Sequence, residues 1–422
     1  MLLLLPLISA TGESQDYWTT EIISVEKDYK IEKRLWEMNL DFLMEWNNRV
    51  YIIVSLDELQ NLKKENIPFT LETQDFYPHS QKLTIQSGIN GEYHSYQELE
   101  QDLLALQDSY PSLARVFDIG DSLEQRNIYA LKISDKVNLD EDEAEVAFLG
   151  CHHAREWISV EVPYLLGKYL VENYNTCPEI KELVDQSEIW IVPLVNPDGL
   201  EYSIHFYRYW RKNRRFNGDG TYGVDINRNY GYMWGYDNTG SSPDPSDDVY
   251  RGTSPFSEPE TQAIRDFFSM RNFLAMITFH NYSQVILYPW GYTYLRTEKN
   301  DLFFDMAADM SELMQSVNGN FYSYGQAGIA LYPTNGDTTD WTYGTYGIPS
   351  FTVELPPVDV RHGGFFNSEE DILLIFNENL PAMLYLIEWS IGNFEMKTDS
   401  LEKRKSKFIS ADQNAQSVQR NK

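Results

Sequence analysis

Cysteine is almost missing from this chain: 422 residues contain only Cys151 and Cys177. A disulfide framework therefore cannot organise the fold, although one bridge between the two stays open. Histidine is nearly as scarce, at seven residues, so the set of imidazole ligands or proton carriers is small. Positive charge is in short supply too. Only 34 Lys and Arg face 64 Asp and Glu, a formal net charge of −30. Such a chain repels phosphates, which excludes nucleic acid as a partner. It fits a well-solvated acidic surface, and calcium binding besides. No stretch beyond the first residues is long and apolar enough to span a membrane; the segment 381–391 is interrupted by Glu388 and reads as a core helix. No internal repeat is present.

What the chain does have is a large apolar share, 42%, with 29 Tyr and 10 Trp. Its length suits one large domain plus a smaller one. The opening MLLLLPLISA, with small residues at Ala10 and Gly12, resembles the apolar part of a secretory signal peptide, and residues 1–14 are read as its remnant. It lacks the usual preceding basic residues, and an ordinary buried segment is the other reading. Residues 15–85 form a first unit and linker, with a strand at Tyr51–Ser55, a helix at Leu56–Glu65 and a polar stretch from Tyr77 to Gly91. That stretch is a natural place for proteolytic nicking. Residues 86–395 follow as the main domain, and 396–422 as a disordered tail rich in Lys and Arg.

In the main domain, apolar runs alternate with helical periodicity. Strands are expected at Val146–Gly150, Ile189–Val195, Phe273–Phe279 and Ser350–Leu355. Helices are expected at Tyr96–Tyr110, Trp157–Tyr174, Glu258–Met270, Leu302–Val317 and Glu369–Trp389. The pattern indicates an α/β sandwich with a mainly parallel sheet.

His153 stands three residues before Glu156, just past an expected strand end, where both side chains could aim at one point as zinc ligands. By itself the pair is weak: with acids at 64 of 422 positions, chance alone supplies about one such pair among seven histidines. A surface histidine beside a helix-capping glutamate reads equally well. His280 closes the strand Ala275–Phe279, where α/β sites assemble, although a lone histidine there is commonly structural. Glu354 interrupts an otherwise buried strand, so it needs a partner or a function. Partial burial would move its pKa towards that of a general base. Two basic clusters, Tyr207–Asn213 and Asn227–Asn229, offer guanidinium forks that suit carboxylates, or surface salt bridges.

Taken together, these segments resemble a known family. Gly150-Cys151-His152-His153-Ala154-Arg155-Glu156-Trp157, Asn196-Pro197-Asp198-Gly199, Tyr209-Trp210-Arg211-Lys212, Asp225-Ile226-Asn227-Arg228-Asn229, Thr278-Phe279-His280-Asn281-Tyr282-Ser283 and Phe351-Thr352-Val353-Glu354 occur in the order of the zinc metallocarboxypeptidases related to carboxypeptidase A. The resemblance spans roughly 92–390. Tyr250-Arg251-Gly252, Phe256–Thr261 and Asp337-Thr338-Thr339-Asp340-Trp341 are similar to bacterial carboxypeptidase T.

The resemblance implies a three-layer α/β/α sandwich with a mixed, mainly parallel central sheet, plus a small α+β N-terminal pro-domain. It implies one Zn2+ held by His153, Glu156 and His280, with Glu354 as general base and Arg211 stabilising the oxyanion. Asn227, Arg228 and Tyr332 would hold the substrate's terminal carboxylate, and Arg155 and Tyr282 would line the subsites ahead of the cut. His152 could be mistaken for the ligand, but only His153 has the acid at the right distance. Thr339 is the expected pocket floor, with Asp337 beside it and Gly291 on the wall. That polar floor implies removal of both apolar and basic C-terminal residues.

Ca2+ is a second expected ion, at Asp135, Asp140, Glu141, Asp142 and Glu143, which read equally well as a solvated loop. The implied protein is a secreted, monomeric exopeptidase acting on peptides and proteins with a free C-terminus. An amide deacylase or cell-wall peptide carboxypeptidase is the alternative on the same scaffold. A peptide-binding module without catalysis would be expected to lack a ligand or the base.

Overall fold

The computed structural model describes residues 20–26, 31, 34, 35, 38, 40–46, 49–72, 90–359 and 362–394. The expected signal remnant, most of the linker and the C-terminal tail fall outside them. The chain divides into two compact units, Met1–Phe76 and Tyr77–Lys422.

In the first unit, strands β1 (Thr20–Glu26), β2 (Asp41–Trp46) and β3 (Arg49–Ser55) precede helix α1 (Leu56–Lys64) and β4 (Thr70–Leu71). They form an antiparallel sheet of order β2-β3-β1-β4. Ile23, Val25, Ile52 and Val54 pack with Leu59, Leu62 and Ile67 into a core of its own.

The second unit runs α2 (Tyr96–Ser109), β5 (Ala114–Asp121), β6 (Asn127–Ile133), β7 (Ala144–Leu149), α3 (Ile158–Asn173), α4 (Pro178–Asp185), β8 (Ser187–Val192) and α5 (Pro197–His205). It continues with α6 (Pro259–Ser269), β9 (Phe273–Asn281), β10 (Val285–Tyr288), α7 (Asn300–Asn318), β11 (Ser323–Gln326), α8 (Ala327–Ala330), α9 (Thr338–Tyr346), β12 (Ser350–Leu355) and a last helix, α10 (371–394). The eight strands lie in the order β11-β10-β12-β9-β7-β8-β6-β5. The centre, β12-β9-β7-β8, is parallel throughout; antiparallel pairs lie towards the edges. The mixed, mainly parallel sheet is as expected.

Alternation along the central strands explains the three layers. Val146 and Phe148 of β7 and Ile189 and Ile191 of β8 enter one core, covered by α3, α7 and α10. Ala147, Leu149, Trp190 and Val192 enter a second core on the other face, against α6 and Trp341 of α9. A strand buried on both faces reads as an unbroken apolar run. β8 stops at Val192 rather than Val195, because Pro193 has no N–H to extend the ladder. Cys151 and Cys177 are free thiols, so the possible bridge is not made. Among the described residues no helix is long and apolar enough to cross a membrane.

The start of the large unit is tied down by a charged latch. Ser95 and Glu98 form a capping box at α2. Immediately before it, the His94 N–H and ring Nδ1 reach Glu161 of α3 at 2.9 and 2.7 Å, and Nε2 lies 3.2 Å from Asp102. Burial alone would lower the His94 pKa; the bonds to Glu161 and Asp102 outweigh it and raise it to about 9. The stabilisation is therefore complete below the unfolded-state pKa near 6.5 and is lost as pH rises through about 9. Removing such a charge-assisted bond costs about 1.5–3 kcal/mol. Thermal melts should show His94→Gln less stable than wild type at pH 6.5, with the gap closing by pH 10; a gap constant with pH contradicts the charged latch.

Candidate functional site

The site is built where β7, β9 and β12 end side by side. Gly150 follows β7 and is packed so closely that a Cβ there would lie 2.1 Å from the Ser159 carbonyl oxygen and 2.8 Å from that of Pro193. Only glycine allows this approach, which turns the chain into His152 and His153. Parallel pairing of β7 with β9 sets His280 beside that turn, and Glu354 of β12 is the register partner of His280.

The three expected ligands converge. His153 Nδ1 lies 2.8 Å from Glu156 Oε1, and His280 Nδ1 lies 3.0 Å from Glu156 Oε2 and 3.1 Å from His153 Nδ1. All three side chains are buried. Two imidazole nitrogens facing each other across one carboxylate are a poor hydrogen-bond arrangement but a good divalent-cation one. Two nitrogens and one oxygen suit zinc, with a fourth position left for water or substrate. Burial lowers the His280 pKa, which favours the neutral ring a metal requires.

Behind this group lies Asp225, quoted in a motif but given no role by the sequence. Its Oδ1 is 3.3 Å from His153 Nε2, while Oδ2 accepts two bonds from Arg211, at 3.0 and 2.7 Å. Burial would raise its pKa, but Arg211, His153 and Arg228 hold the carboxylate well below the usual range. One buried anion thus orients a metal-facing imidazole and the Arg211 guanidinium together. Asp225 also caps the 3₁₀ turn Ile226–Arg228 by accepting the Asn227 N–H at 2.9 Å. Within that turn Arg228 donates to the Asn227 carbonyl at 2.8 Å, while its buried Nε makes no hydrogen bond.

One cleft runs from His153 and His280 past Asn227, Arg228, Tyr332 and Glu354 to Asp337 and Thr339. Glu354 is partly exposed in it. Burial first, then the nearby Glu156 carboxylate, push its pKa well above the ordinary value, against the pull of Arg211 and Arg228. Arg155 and Tyr282 are not in this lining. They meet beside it on Phe365, with the Arg155 guanidinium 4.3 Å above that ring and the Tyr282 ring 4.9 Å away.

At the far end Asp337 caps α9, accepting from Thr334 (2.5 Å), Thr339 (2.9 Å) and the Asp340 N–H (2.8 Å). A side chain at Gly291 would strike Thr334 Oγ1 at 2.2 Å and Asp337 Oδ2 at 2.7 Å. Asp340, quoted in a motif but given no role by the sequence, fixes that wall by accepting the N–H groups of Gly291 and Tyr292 at 2.9 and 3.0 Å.

The five acids proposed for calcium divide. Asp135, Glu141 and Glu143 form one group, and Asp140 joins Glu145 and Glu188 in another; Asp142 belongs to neither. Lys132 pairs with Glu188 at 2.6 Å and Arg271 with Asp140 at 3.2 Å, so part of this charge is already balanced.

Comparison with known proteins agrees with this geometry. The sequence signature of the zinc carboxypeptidase family matches residues 99–382. A zinc carboxypeptidase of Saccharothrix mutabilis subsp. capreolus is 38% identical over 347 residues, covering 79% of this chain and 75% of that protein. Carboxypeptidase B of Astacus astacus is 35% identical over 288 residues, covering 67% and 91%. The crystal structure of carboxypeptidase A from Helicoverpa armigera superposes with a TM-score of 0.76 at 23% identity, covering 88% and 97%, a likeness of fold. The chain belongs to the zinc carboxypeptidase family, whose members are metallopeptidases that hydrolyse C-terminal peptide bonds.

Asp225→Asn leaves the buried Arg211 guanidinium without its anion, and breaking one side of such a pair costs about 3–5 kcal/mol. Denaturant unfolding of the variant should show a loss of that size; a loss under about 1 kcal/mol would mean that water hydrates and screens the Arg211 charge in place of Asp225.

Proposed function

We propose that this chain is a secreted zinc exopeptidase that removes both apolar and basic residues from the C-terminus of peptides. The observation that carries the reading is the single cleft joining the His153–Glu156–His280 group to Asn227, Arg228 and Glu354. His153, Glu156 and His280 hold the ion. Zinc bound there would polarise a carbonyl and acidify a water. Glu354 takes a proton from the attacking water and passes it to the leaving amine nitrogen. Arg211, locked by Asp225, faces the charge that develops on the carbonyl oxygen. Asn227, Arg228 and Tyr332 receive the terminal α-carboxylate, which is why an internal bond would not fit. Arg155 and Tyr282, gathered on Phe365, line the path of the upstream residues.

The pocket for the departing side chain ends at Thr339 and Asp337. A hydroxyl and a carboxylate already bonded to Thr334 and Thr339 leave a mixed floor: polar enough for a cation, with Leu287 and Ala327 on the walls for apolar groups. This supports the likeness to carboxypeptidase T. Residues 15–85 act as a removable pro-segment. The support is that the chain divides at Phe76 and that described residues between Ile23 and Phe69 pack into a core of their own, ahead of the catalytic domain proposed for 86–395.

Peptides ending in Phe, Leu, Arg and Lys should all be shortened one residue at a time, and their C-terminal amides should resist. Glu354→Gln should cut kcat by about 10²–10⁴ with zinc retained. Arg228→Ala should mainly raise KM. Release from internal sites would overturn the clamp, and loss of either the apolar or the basic pair would overturn the pocket. Activity unchanged by limited proteolysis in the Tyr77–Gly91 linker would remove the pro-segment role.

Calcium is proposed in the acidic run of Asp135, Asp140, Glu141, Asp142 and Glu143, where Asp135, Glu141 and Glu143 converge and Asp135 Oδ1, Glu141 Oε2 and Glu143 Oε1 are buried without a hydrogen-bond partner. Burial, then the neighbouring Glu141, raise the Glu143 pKa to about 8, a cost a divalent ion would offset. With zinc restored after chelation, added calcium should raise the Tm of the wild type and not that of Glu143→Gln; no shift in the wild type rejects the site.

A further inference from the structure

His152 is fully buried one residue before a metal ligand, and neither the metal nor the substrate contacts described above use it. Its partners do not line the cleft, but two of them touch residues that do. Nε2 lies 3.1 Å from Thr338 Oγ1 and 2.9 Å from the Tyr230 hydroxyl, and Nδ1 lies 3.2 Å from Thr278 Oγ1. Thr338 in turn holds Asn227, and Thr278 lies 3.4 Å from His280 Nε2. We propose that His152 is a positioning residue that sets the direction of one hydrogen-bond chain, fixing the His280 tautomer at the metal and holding the Thr338 hydroxyl on the Asn227 carbonyl at the carboxylate clamp.

The direction follows step by step. The Thr338 backbone N–H, which can only donate, meets the Asn227 side-chain carbonyl oxygen at 3.0 Å. That atom is therefore oxygen, and the Asn227 amide hydrogens are left for an acceptor in the cleft. The same oxygen lies 2.7 Å from Thr338 Oγ1, so the hydroxyl spends its one proton there. With that proton spent, Thr338 Oγ1 is an acceptor, and in the proposed order His152 Nε2–H donates to it and to the Tyr230 hydroxyl, 2.9 Å away, rather than taking the Tyr230 proton. A buried imidazole bonded to three hydroxyls and no carboxylate is neutral, so its Nδ1 carries a lone pair and takes the Thr278 proton. Thr278 Oγ1 is left to accept from His280 Nε2–H. His280 Nδ1 then presents its lone pair to Glu156 and His153, as a ligand must. Asn227 Nδ2, 3.4 Å from His280 Nε2, faces another donor and makes no competing bond there. The His152 and His280 rings lie 5.5 Å apart at 20°, which keeps the two imidazoles in step.

This inference rests on the metal and clamp roles proposed above. The test uses the zinc-loaded full chain, with zinc affinity measured by competition with a chelator and kcat and KM measured on a peptide with a free C-terminus. Thr278→Val cuts only the metal end, and should weaken zinc about 10-fold or more while KM stays within about twofold. Thr338→Val cuts only the clamp end, and should raise KM about 10-fold while zinc affinity holds. His152→Phe should do both. The relay is overturned if His152→Phe leaves both quantities within about twofold, or if the two threonine variants give the same profile, as general loosening of the packing would. A wild-type chain that takes up no zinc overturns the proposed function itself, whereas a zinc-binding wild type whose variants fail to split overturns the relay alone.

Discussion

Parallel pairing of β7, β9 and β12 is the constraint on which the site depends. Their C-terminal ends coincide, so residues 153, 280 and 354, far apart in the chain, leave the sheet at one level. The apolar alternation of the same strands fills two cores, which anchors that register. A slip of one residue in β9 would exchange Ile277 and Phe279 for Met276 and Thr278 across the sheet and turn His280 away from the metal group. Core packing and metal geometry are therefore two consequences of one register, and changes inside β9 will disturb both.

Charge in the cleft is arranged around that frame by burial. Asp225 is the pivot: one oxygen serves His153, the other Arg211, and its backbone role as a cap starts the turn carrying Asn227 and Arg228. In an acidic chain, a buried run of Arg211, Asn227 and Arg228 stands out as a place where anions are stabilised. In the proposed reading that anion is the substrate's terminal carboxylate, since Asp225 already holds the inner side of Arg211, and Glu354, in the lining of the same cleft as Asn227 and Arg228, is left for proton transfer.

The sequence made the chemistry easier to read than the scaffold. His153, Glu156, His280 and Glu354 stood out only weakly as strand ends and ionisable interruptions of apolar runs, and it was the ordered set of motifs shared with a known family that joined them. The strands β7, β9 and β12 were visible locally, as buried runs. Short or half-exposed elements left weaker marks. β10 has four residues directly after β9, and β5 alternates without a clean apolar face. Helix α9 reads TTDWTYGTY, poor helix formers with β-branched and aromatic side chains; it folds because Asp337 caps its start and Gly347, at φ 71°, ends it. Asp225 and Asp340 were quoted within motifs, yet their roles lay in bonds to Arg211 and to the Gly291 backbone, which no local pattern encodes.

His152 shows why such roles escape a linear reading. Beside His153 it looked like a decoy ligand, and the acid spacing set it aside. Its partners Thr278 and Thr338 stand 126 and 186 residues away and carry no charge. Neutral hydroxyls leave no compositional trace, yet a hydroxyl has one proton to give, so a chain of them transmits direction. The unambiguous donor at one end is a backbone N–H, and the requirement at the other is a free imidazole lone pair. A neutral ring with one donor and one acceptor nitrogen is the side chain that can join the two without reversing the order, and a leucine or phenylalanine of similar volume would preserve the packing while breaking it.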